Sequence, residues 1–192
     1  MFNIVIFGAP GSAQGTQSEQ LINEYGLHHI STGELLRKHI AEGTDLGKIA
    51  DQYISQGHLI PDDLMIKVLE DVLDKNPELT AKGVIFDGFP RTIAQAEELE
   101  KMLARRGTKV HAVVGLEVNE DDLIERMLRR GKESGRSDDN IDTIRERLNV
   151  YHNQTSPLRK FYIDLGKYHA IDGNGDIDSI FRSIKQSLDK VR

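Results

Sequence analysis

The sequence predicts an α/β fold in three layers (α/β/α), with helices on both faces of a central five-stranded parallel sheet. Short apolar segments alternate along the chain with longer segments of helical spacing, the order that parallel sheets require. The apolar segments are nearly continuous, as in strands that are buried on both faces. The length of 192 residues suits one domain with a sizeable core, without internal repeats or long linkers.

Each predicted strand is a short apolar run that ends at glycine or at a polar residue. The five predicted strands cover residues 2–7, 28–30, 83–87, 110–116 and 168–171. Helical spacing predicts helices over residues 14–25, 32–42, 45–56, 62–74, 92–106, 119–131, 140–165 and 176–191. Ser31 and Glu34 form a capping-box pattern at the start of the second helix. The helices between residues 32 and 74 interrupt the β–α alternation and are interpreted as an insert, as is the loop 131–140.

Composition excludes several classes of protein. Lys and Arg number 25 against 31 Asp and Glu, so the net charge is −6 and the pI is near 5.6, which argues against general nucleic-acid binding. The absence of cysteine excludes disulfides, a catalytic thiol, thiolate zinc and iron–sulfur clusters. Because no apolar run is long enough to span a bilayer and the N-terminus lacks a signal-peptide pattern, we expect a cytoplasmic protein with no membrane partner.

A glycine-rich loop, residues 8–16 (GAPGSAQGT), joins the first predicted strand to the first predicted helix. Backbone N–H groups in such a loop, together with the partial positive charge of a helix N-terminus, can bind a phosphate. The phosphate-loop pattern is G-x-x-x-x-G-K-[ST], and this chain has Ala13 and Gln14 where the pattern has Gly and Lys. An ordinary tight turn between strand and helix accounts for the Gly and Pro residues equally well.

A second candidate site begins at Asp87, where the third predicted strand ends. A carboxylate at this end of a parallel strand faces the crevice in which such sheets bind ligands, and in phosphoryl-transfer enzymes it holds Mg²⁺ or its waters. The alternative is an aspartate that only caps a turn. Gly88 lets a ligand approach the backbone, Pro90 stiffens the turn, and Arg91 offers a fork of donors that suits a phosphate or pairs with Asp87.

Arginines are concentrated in the segment 126–147. They are Arg126, Arg129, Arg130, Arg136, Arg145 and Arg147. Arg126 and Arg130 share a helix face, although acidic residues in between also fit a solvated surface of ion pairs. Two glycines at 131 and 135 flank a cationic loop, which is typical of mobile loops that carry an arginine over a phosphate.

Together these motifs resemble those of the adenylate kinases with a short lid, within the nucleoside monophosphate kinases. The similarity runs in order through GAPGSxxGTQ (8–17), HISTGELLR (29–37), GHLIPD (57–62), FDGFPRTxxQA (86–96), ERMLRRGKESGRSDDN (125–140), RxRLxxY (145–151) and DGNG (172–175). The DGFPRT run is highly specific to these kinases. The resemblance implies a P-loop fold that transfers a phosphoryl group reversibly from MgATP to AMP, giving two ADP.

The resemblance also implies how the chain is divided. One domain, 1–192, would have its core in residues 1–30, 61–125 and 141–192, an AMP-binding arm in 31–60 and a short lid in about 126–140. Because this lid has no cysteine, we expect no zinc. Thr32 and Thr92 favour AMP over pyrimidine monophosphates, and nothing demands more than a monomer.

Matching positions receive roles from the resemblance. It implies ATP contacts by Pro10, Gly11, Ser12, Ala13, Gln14, Gly15, Thr16, Arg126 and Gly175. It implies AMP contacts by Thr32, Arg37, His58, Leu59, Ile60, Gly88, Phe89, Pro90, Arg91, Gln95, Arg136 and Arg147. The catalytic group would be Gln14, Arg91, Arg126, Arg136 and Arg147. Asp87 would hold Mg²⁺ through water.

Ala13 and Gln14 are the departures from this family, which has Gly and Lys at these positions. Gln14 has the reach of a lysine but no charge, and loss of a charged transition-state contact commonly costs about two to three orders of magnitude in rate. Ala13 adds a methyl group where the loop favours glycine. We therefore expect nucleotide binding with impaired turnover.

The alternatives are a nucleotide-binding protein without useful turnover and a kinase for another nucleoside monophosphate. A GTPase is disfavoured, since an Asn-Lys-x-Asp motif is missing.

Overall fold

The computed structural model describes residues 1–56, 58, 60–134 and 140–192. The strands are β1 (Ile4–Gly8), β2 (His28–Ser31), β3 (Val84–Asp87), β4 (Ala112–Glu117) and β5 (Tyr168–Asp172). The helices are α1 (Gln14–Tyr25), α2 (Thr32–Glu42), α3 (Asp45–Ser55), α4 (Asp62–Lys75), α5 (Ile93–Arg105), α6 (Glu120–Ser134), α7 (Ile141–Asp164) and α8 (Ile177–Asp189). The strands form one fully parallel sheet in the order β2-β3-β1-β4-β5. The predicted α/β fold is confirmed. Among the described helices, none is long and apolar enough to cross a membrane.

Side chains of β1 alternate between two apolar cores, one on each face of the sheet. Val5 and Phe7 belong to the core that α4, α5 and α7 complete, whereas Ile4 and Ile6 belong to the core that α1 and α8 complete. All four side chains are buried. A third apolar cluster packs α6 against α7 and reaches Ala9 in the loop after β1. The cores therefore fix the carboxyl edge of the sheet relative to the helices around it.

Two predictions about helix ends are wrong. Ser31 occupies the N-cap position of α2, but its side chain makes no capping hydrogen bond, since this residue also ends β2 and pairs with Asp87 of β3. Helix α6 continues to Ser134, so the loop predicted from residue 131 begins as helix. A glycine inside a helix costs only about 1 kcal/mol, and Gly131 does not stop α6. The remainder of that loop, 135–139, lies outside the described residues.

Gly83, just before β3, holds a backbone conformation that suits only glycine. Its φ is +130°, and a Cβ built on it would lie 1.9 Å from the carbonyl oxygen of Phe2. Its carbonyl accepts a hydrogen bond from the His28 N–H at 3.0 Å, and its N–H donates to the Thr80 carbonyl at 3.0 Å. These two hydrogen bonds restrict any shift of the Gly83 backbone that would make room for a Cβ. The entry of the chain into β3, and with it the position of Asp87, therefore depends on glycine here.

Gly83→Ala is expected to lower the free energy of unfolding by more than about 3 kcal/mol, because it combines backbone strain with overlap on a backbone oxygen. Gly107→Ala is the matched control, since Gly107 also has a positive φ (+75°) but open space around it. It is expected to cost about 1 kcal/mol. Urea unfolding of both variants measures the difference, and equal losses would contradict the steric argument.

Candidate active site

A cavity of about 1000 Å³ opens at the carboxyl ends of β1 and β3. One wall is the loop between β1 and α1, and another is the turn after β3. Helices α6 and α7 complete it with Arg126, Met127, Arg130, Glu146, Arg147, Val150, Tyr151, Gln154, Thr155 and Leu158. Open α/β sheets bind ligands at this edge, so the cavity is the candidate active site.

The loop after β1 presents the N-terminus of α1 to the cavity. No side chain caps this helix, and its first turn contains no acidic residue. The first backbone N–H groups of the helix therefore remain open to an anion. Ala13, the N-cap, has φ 62° and ψ 32°, and among the described residues it is the one non-glycine residue with a positive φ. The alanine thus keeps the left-handed conformation that the family's glycine would adopt without strain.

Gln14 turns back onto the sheet. Its Nε2 donates to Asp87 Oδ1 at 2.5 Å and lies 3.5 Å from the Ile6 carbonyl oxygen. A Cβ on Gly8 would lie 2.9 Å from the Gln14 Cβ and 2.5 Å from Ser12 Oγ. The loop therefore packs closely over Gly8, and the Gln14 carboxamide links β1 to β3.

Asp87 receives a second partner from the neighbouring strand. Its Oδ2 lies 3.0 Å from Nε2 of His29 in β2. This hydrogen bond is the main reason that the pKa of His29 is raised, while partial burial of the imidazole opposes the rise. Asp87 is therefore held from two sides, by a carboxamide and by an imidazole.

Asp87 is the candidate carboxylate for a metal ion that binds together with a nucleotide. Among the described residues, no group of three or more His, Asp or Glu side chains converges as a cage. Mg²⁺ is typically bound through one or two carboxylates, several waters and substrate phosphates. Asp87, a carboxylate on the cavity wall beside the α1 N-terminus, fits that arrangement.

The turn after β3 holds Arg91 in an orientation that suits binding of an anion. The Arg91 Nε donates to the Gly88 carbonyl at 3.0 Å, and its backbone N–H donates to Gln95 Oε1 at 2.8 Å. Gln95 in turn donates from Nε2 to Asp62 Oδ1 at 3.1 Å. The terminal guanidinium nitrogens of Arg91 make no hydrogen bond to the residues that the structure describes. A Cβ on Gly88 would lie 3.6 Å from the Thr32 hydroxyl, so Thr32 and Arg91 flank this glycine.

Arginines of α6 and α7 form the opposite wall. Arg126 donates to the carbonyls of Gly11, at 3.3 Å, and Gly173, at 3.4 Å, so it joins the loop after β1 to the loop after β5. Arg130 and Arg147 also line the cavity. The cavity therefore faces an uncapped helix N-terminus and four arginines, a setting that favours phosphate groups.

Predicted site residues divide into three groups. Those that line the cavity are Pro10, Gly11, Ser12, Ala13, Gln14, Asp87, Gly88, Pro90, Arg91, Arg126 and Arg147. Described residues outside its lining are Gly15, Thr16, Thr32, Arg37, His58, Ile60, Phe89, Gln95 and Gly175. Leu59 and Arg136 lie outside the described residues. Phe89 is buried in a core, so its side chain is not available for ligand contact.

Sequence reasoning missed several residues at this site. Arg130 shares a helix face with Arg126 in the sequence, but neither the pattern nor the resemblance assigns it a role. The cavity-lining residues of α7 after Arg147 recur at steps of three or four, which is the spacing of one helix face, so the sequence contained a signal for them. His29 lay in a recognised motif, but its contact with Asp87 depends on β2 and β3 being neighbours.

Comparison with known proteins agrees with this geometry. The family model "Adenylate kinase" matches residues 6–167. An adenylate kinase of Bacteroides thetaiotaomicron is 58% identical over 191 residues, and one of Parabacteroides distasonis is 57% identical over 193 residues; in each case both chains are fully covered. An adenylate kinase of Porphyromonas gingivalis is 53% identical over 192 residues, which cover all of this chain and 98% of the relative. With its sheet, phosphate-facing loop and full-length similarity, the chain belongs to the adenylate kinase family.

Proposed function

We propose that this chain transfers the γ-phosphoryl group of MgATP to AMP and catalyses the reverse reaction between two ADP. The observation that carries the proposal is one cavity that joins an uncapped helix N-terminus to Arg91 and the arginines of α6 and α7. Two phosphate chains that meet end to end need this distribution of positive charge. Family membership supports the same reaction.

In this mechanism the protein positions the two phosphate chains and stabilises their charge. The backbone N–H groups at the start of α1 hold the ATP phosphates, and Arg91 holds the AMP phosphate. Arg126, Arg130 and Arg147 stabilise the negative charge that develops on the phosphoryl group as it moves between ATP and AMP. No covalent intermediate is needed. Asp87 would hold Mg²⁺ through water, and the ion bound with the nucleotide would supply further charge neutralisation.

AMP is the proposed acceptor because Thr32 and Gln95 border the turn that carries Arg91. Thr32 is buried beside Gly88, and Gln95 is held by Arg91 and Asp62. We propose that residues 31–60 act as the AMP-binding arm and 126–140 as the lid, which keeps water out of the closed site. Arg136 of that lid is proposed to bridge the two phosphate chains with Arg147. The monomeric state, the cytoplasmic location, and the absence of zinc and of nucleic-acid partners stay predictions.

We also propose that turnover is impaired at Gln14. A carboxamide carries no charge, and here its Nε2 donates a hydrogen bond to Asp87 Oδ1. Removal of a charged transition-state contact commonly costs about 100- to 1000-fold in rate. The second candidate function, nucleotide binding without useful turnover, is favoured by the same hydrogen bond. Both candidates bind nucleotide, so a coupled ATP/AMP assay separates them by turnover, and calorimetric titration with a bisubstrate dinucleotide measures the binding without chemistry.

Gln14→Lys, alone and with Ala13→Gly, is expected to raise kcat for ADP formation by about 100-fold or more, because it restores a charge beside the transferred group. A coupled ATP/AMP assay measures the rate. Gln20→Lys adds the same charge to α1 away from the cavity lining and should leave kcat unchanged. Equal rates for Gln14→Lys and the unaltered chain would show that Gln14 is not a defect.

Ala13→Gly is expected to stabilise the protein by up to about 1 kcal/mol, because relief of the left-handed strain exceeds the entropy that glycine adds to the unfolded chain. The free energy of unfolding in urea tests this. Ala104→Gly, inside α5, is the control and should instead destabilise by about 1 kcal/mol. A loss of stability in Ala13→Gly would contradict the strain assigned to this residue.

Arg91→Ala is expected to lower kcat/KM for AMP by about 100-fold, since it removes a charged donor fork from the phosphate. The KM for ATP should change far less. Arg105→Ala, which removes an exposed arginine paired with Glu70 outside the cavity, is the matched control. The assay varies each nucleotide in turn, and equal losses for ATP and AMP would contradict the assignment of Arg91 to AMP.

A further inference from the structure

His39, in the last turn of α2, is a buried polar side chain outside the cavity lining. Its Nδ1 lies 2.8 Å from the hydroxyl oxygen of Thr44, which caps α3 by accepting a hydrogen bond from the Gly47 N–H at 3.0 Å. The other ring nitrogen, Nε2, lies 3.6 Å from Asp71 Oδ2 on α4. One imidazole therefore connects three helices, α2, α3 and α4.

The contacts around His39 join α2 and α3 into one unit. The backbone N–H of Thr44 donates to the His39 carbonyl at 3.3 Å. A Cβ built on Gly47 would lie 2.0 Å from that same carbonyl oxygen, so the two helix backbones are in direct contact at this point. Any movement of α2 relative to the core of the protein therefore carries α3 with it.

The link from this unit to the core is narrow. At the start of α2, Leu35 and Leu36 pack against the apolar core to which α4 belongs. Beyond them, and among the residues that the structure describes, the contact of His39 with Asp71 is the only side-chain hydrogen bond or ion pair that joins α2 or α3 to another element. Asp71 is itself paired with Lys75 of the same helix at 3.1 Å. The later part of α2 is thus attached to α4 through a single carboxylate.

In this structure the helices of the AMP-binding arm stand outside the cavity. Among the described residues of α2 and α3, none belongs to its lining. Before Arg37 can reach a phosphate held by Arg91, α2 has to move relative to α4. Since Arg37 lies two residues before His39 on the same helix, that movement changes the distance from His39 to Asp71. A contact made only while the arm is open stabilises the open arm.

We propose that His39 is a positioning residue for the AMP-binding arm, and that its contact with Asp71 holds the arm open and thereby weakens the binding of AMP. The inference rests on the proposed function, because it requires AMP to bind beneath this arm. Loss of the contact should tighten AMP binding, whereas loss of a contact that only supports the fold would weaken it or leave it unchanged. An ion pair at a partly exposed position changes an equilibrium constant by up to about fivefold.

The test is calorimetric titration of the full chain with AMP alone, which needs no turnover. Asp71→Ala is expected to lower the Kd of AMP by about two- to fivefold, because it removes the partner of His39. Asp74→Ala is the matched control. It removes the same charge from the next turn of α4, where Asp74 pairs with Arg106, and should leave the Kd unchanged. An equal gain in Asp74→Ala would assign the effect to net charge and overturn the inference.

A second variant, His39→Leu, keeps a side chain of similar size without the imidazole, and should tighten AMP binding to the same extent. Asp71→Ala added to His39→Leu should give no further gain; a full additional gain would overturn the inference. If His39→Leu does not fold, the comparison of Asp71→Ala with Asp74→Ala still decides. If AMP does not bind the unaltered chain, the proposed function is wrong and the inference falls with it. If AMP binds and Asp71→Ala does not tighten it, the inference alone is wrong.

Discussion

Parallel pairing of β1 with β3 is the constraint on which the site depends. The register places Ile6 opposite Asp87, so the loop that follows β1 lies beside the carboxylate that ends β3. Because all five strands run in the same direction, their carboxyl ends share one edge, and that edge opens into the cavity. Apolar cores on both faces of the sheet hold this register, since a shift by one residue would move buried side chains to the opposite face.

The net charge of −6 conceals how charge is distributed. Arg91, Arg126, Arg130 and Arg147 converge on the cavity, and the uncapped start of α1 adds its partial positive charge. Many of the acidic residues lie on helix surfaces, where they pair with Lys and Arg at partly exposed positions such as Glu125 with Arg129. An acidic protein can thus present a strongly cationic site, because what a phosphate meets is the local field rather than the total charge.

Much of this arrangement could be predicted from the sequence, and what could not has a physical reason. Buried parallel strands have continuous apolar runs, so the five strands and the location of Asp87 followed from local pattern. The left-handed backbone at Ala13 could be expected because Ala13 stands where the phosphate-loop pattern has glycine. His29 was missed because its partner belongs to β3, and the pairing of β2 with β3 is not written in either segment. The rotamer of Gln14 was missed for the same reason: it depends on Gly8 and Asp87 together.

The two unusual residues of the phosphate-facing loop act on different physical quantities. Ala13 keeps the left-handed backbone, so the loop retains the shape that directs N–H groups at an anion, at the cost of local strain. Gln14 leaves that backbone unchanged and alters only the charge and the hydrogen bond made by one side chain. Since phosphate binding draws on backbone donors and arginines, while phosphoryl transfer also requires charge at the moving group, the loop separates affinity from rate. The proposed impairment at Gln14 would therefore fall on the transition state more than on the bound nucleotide.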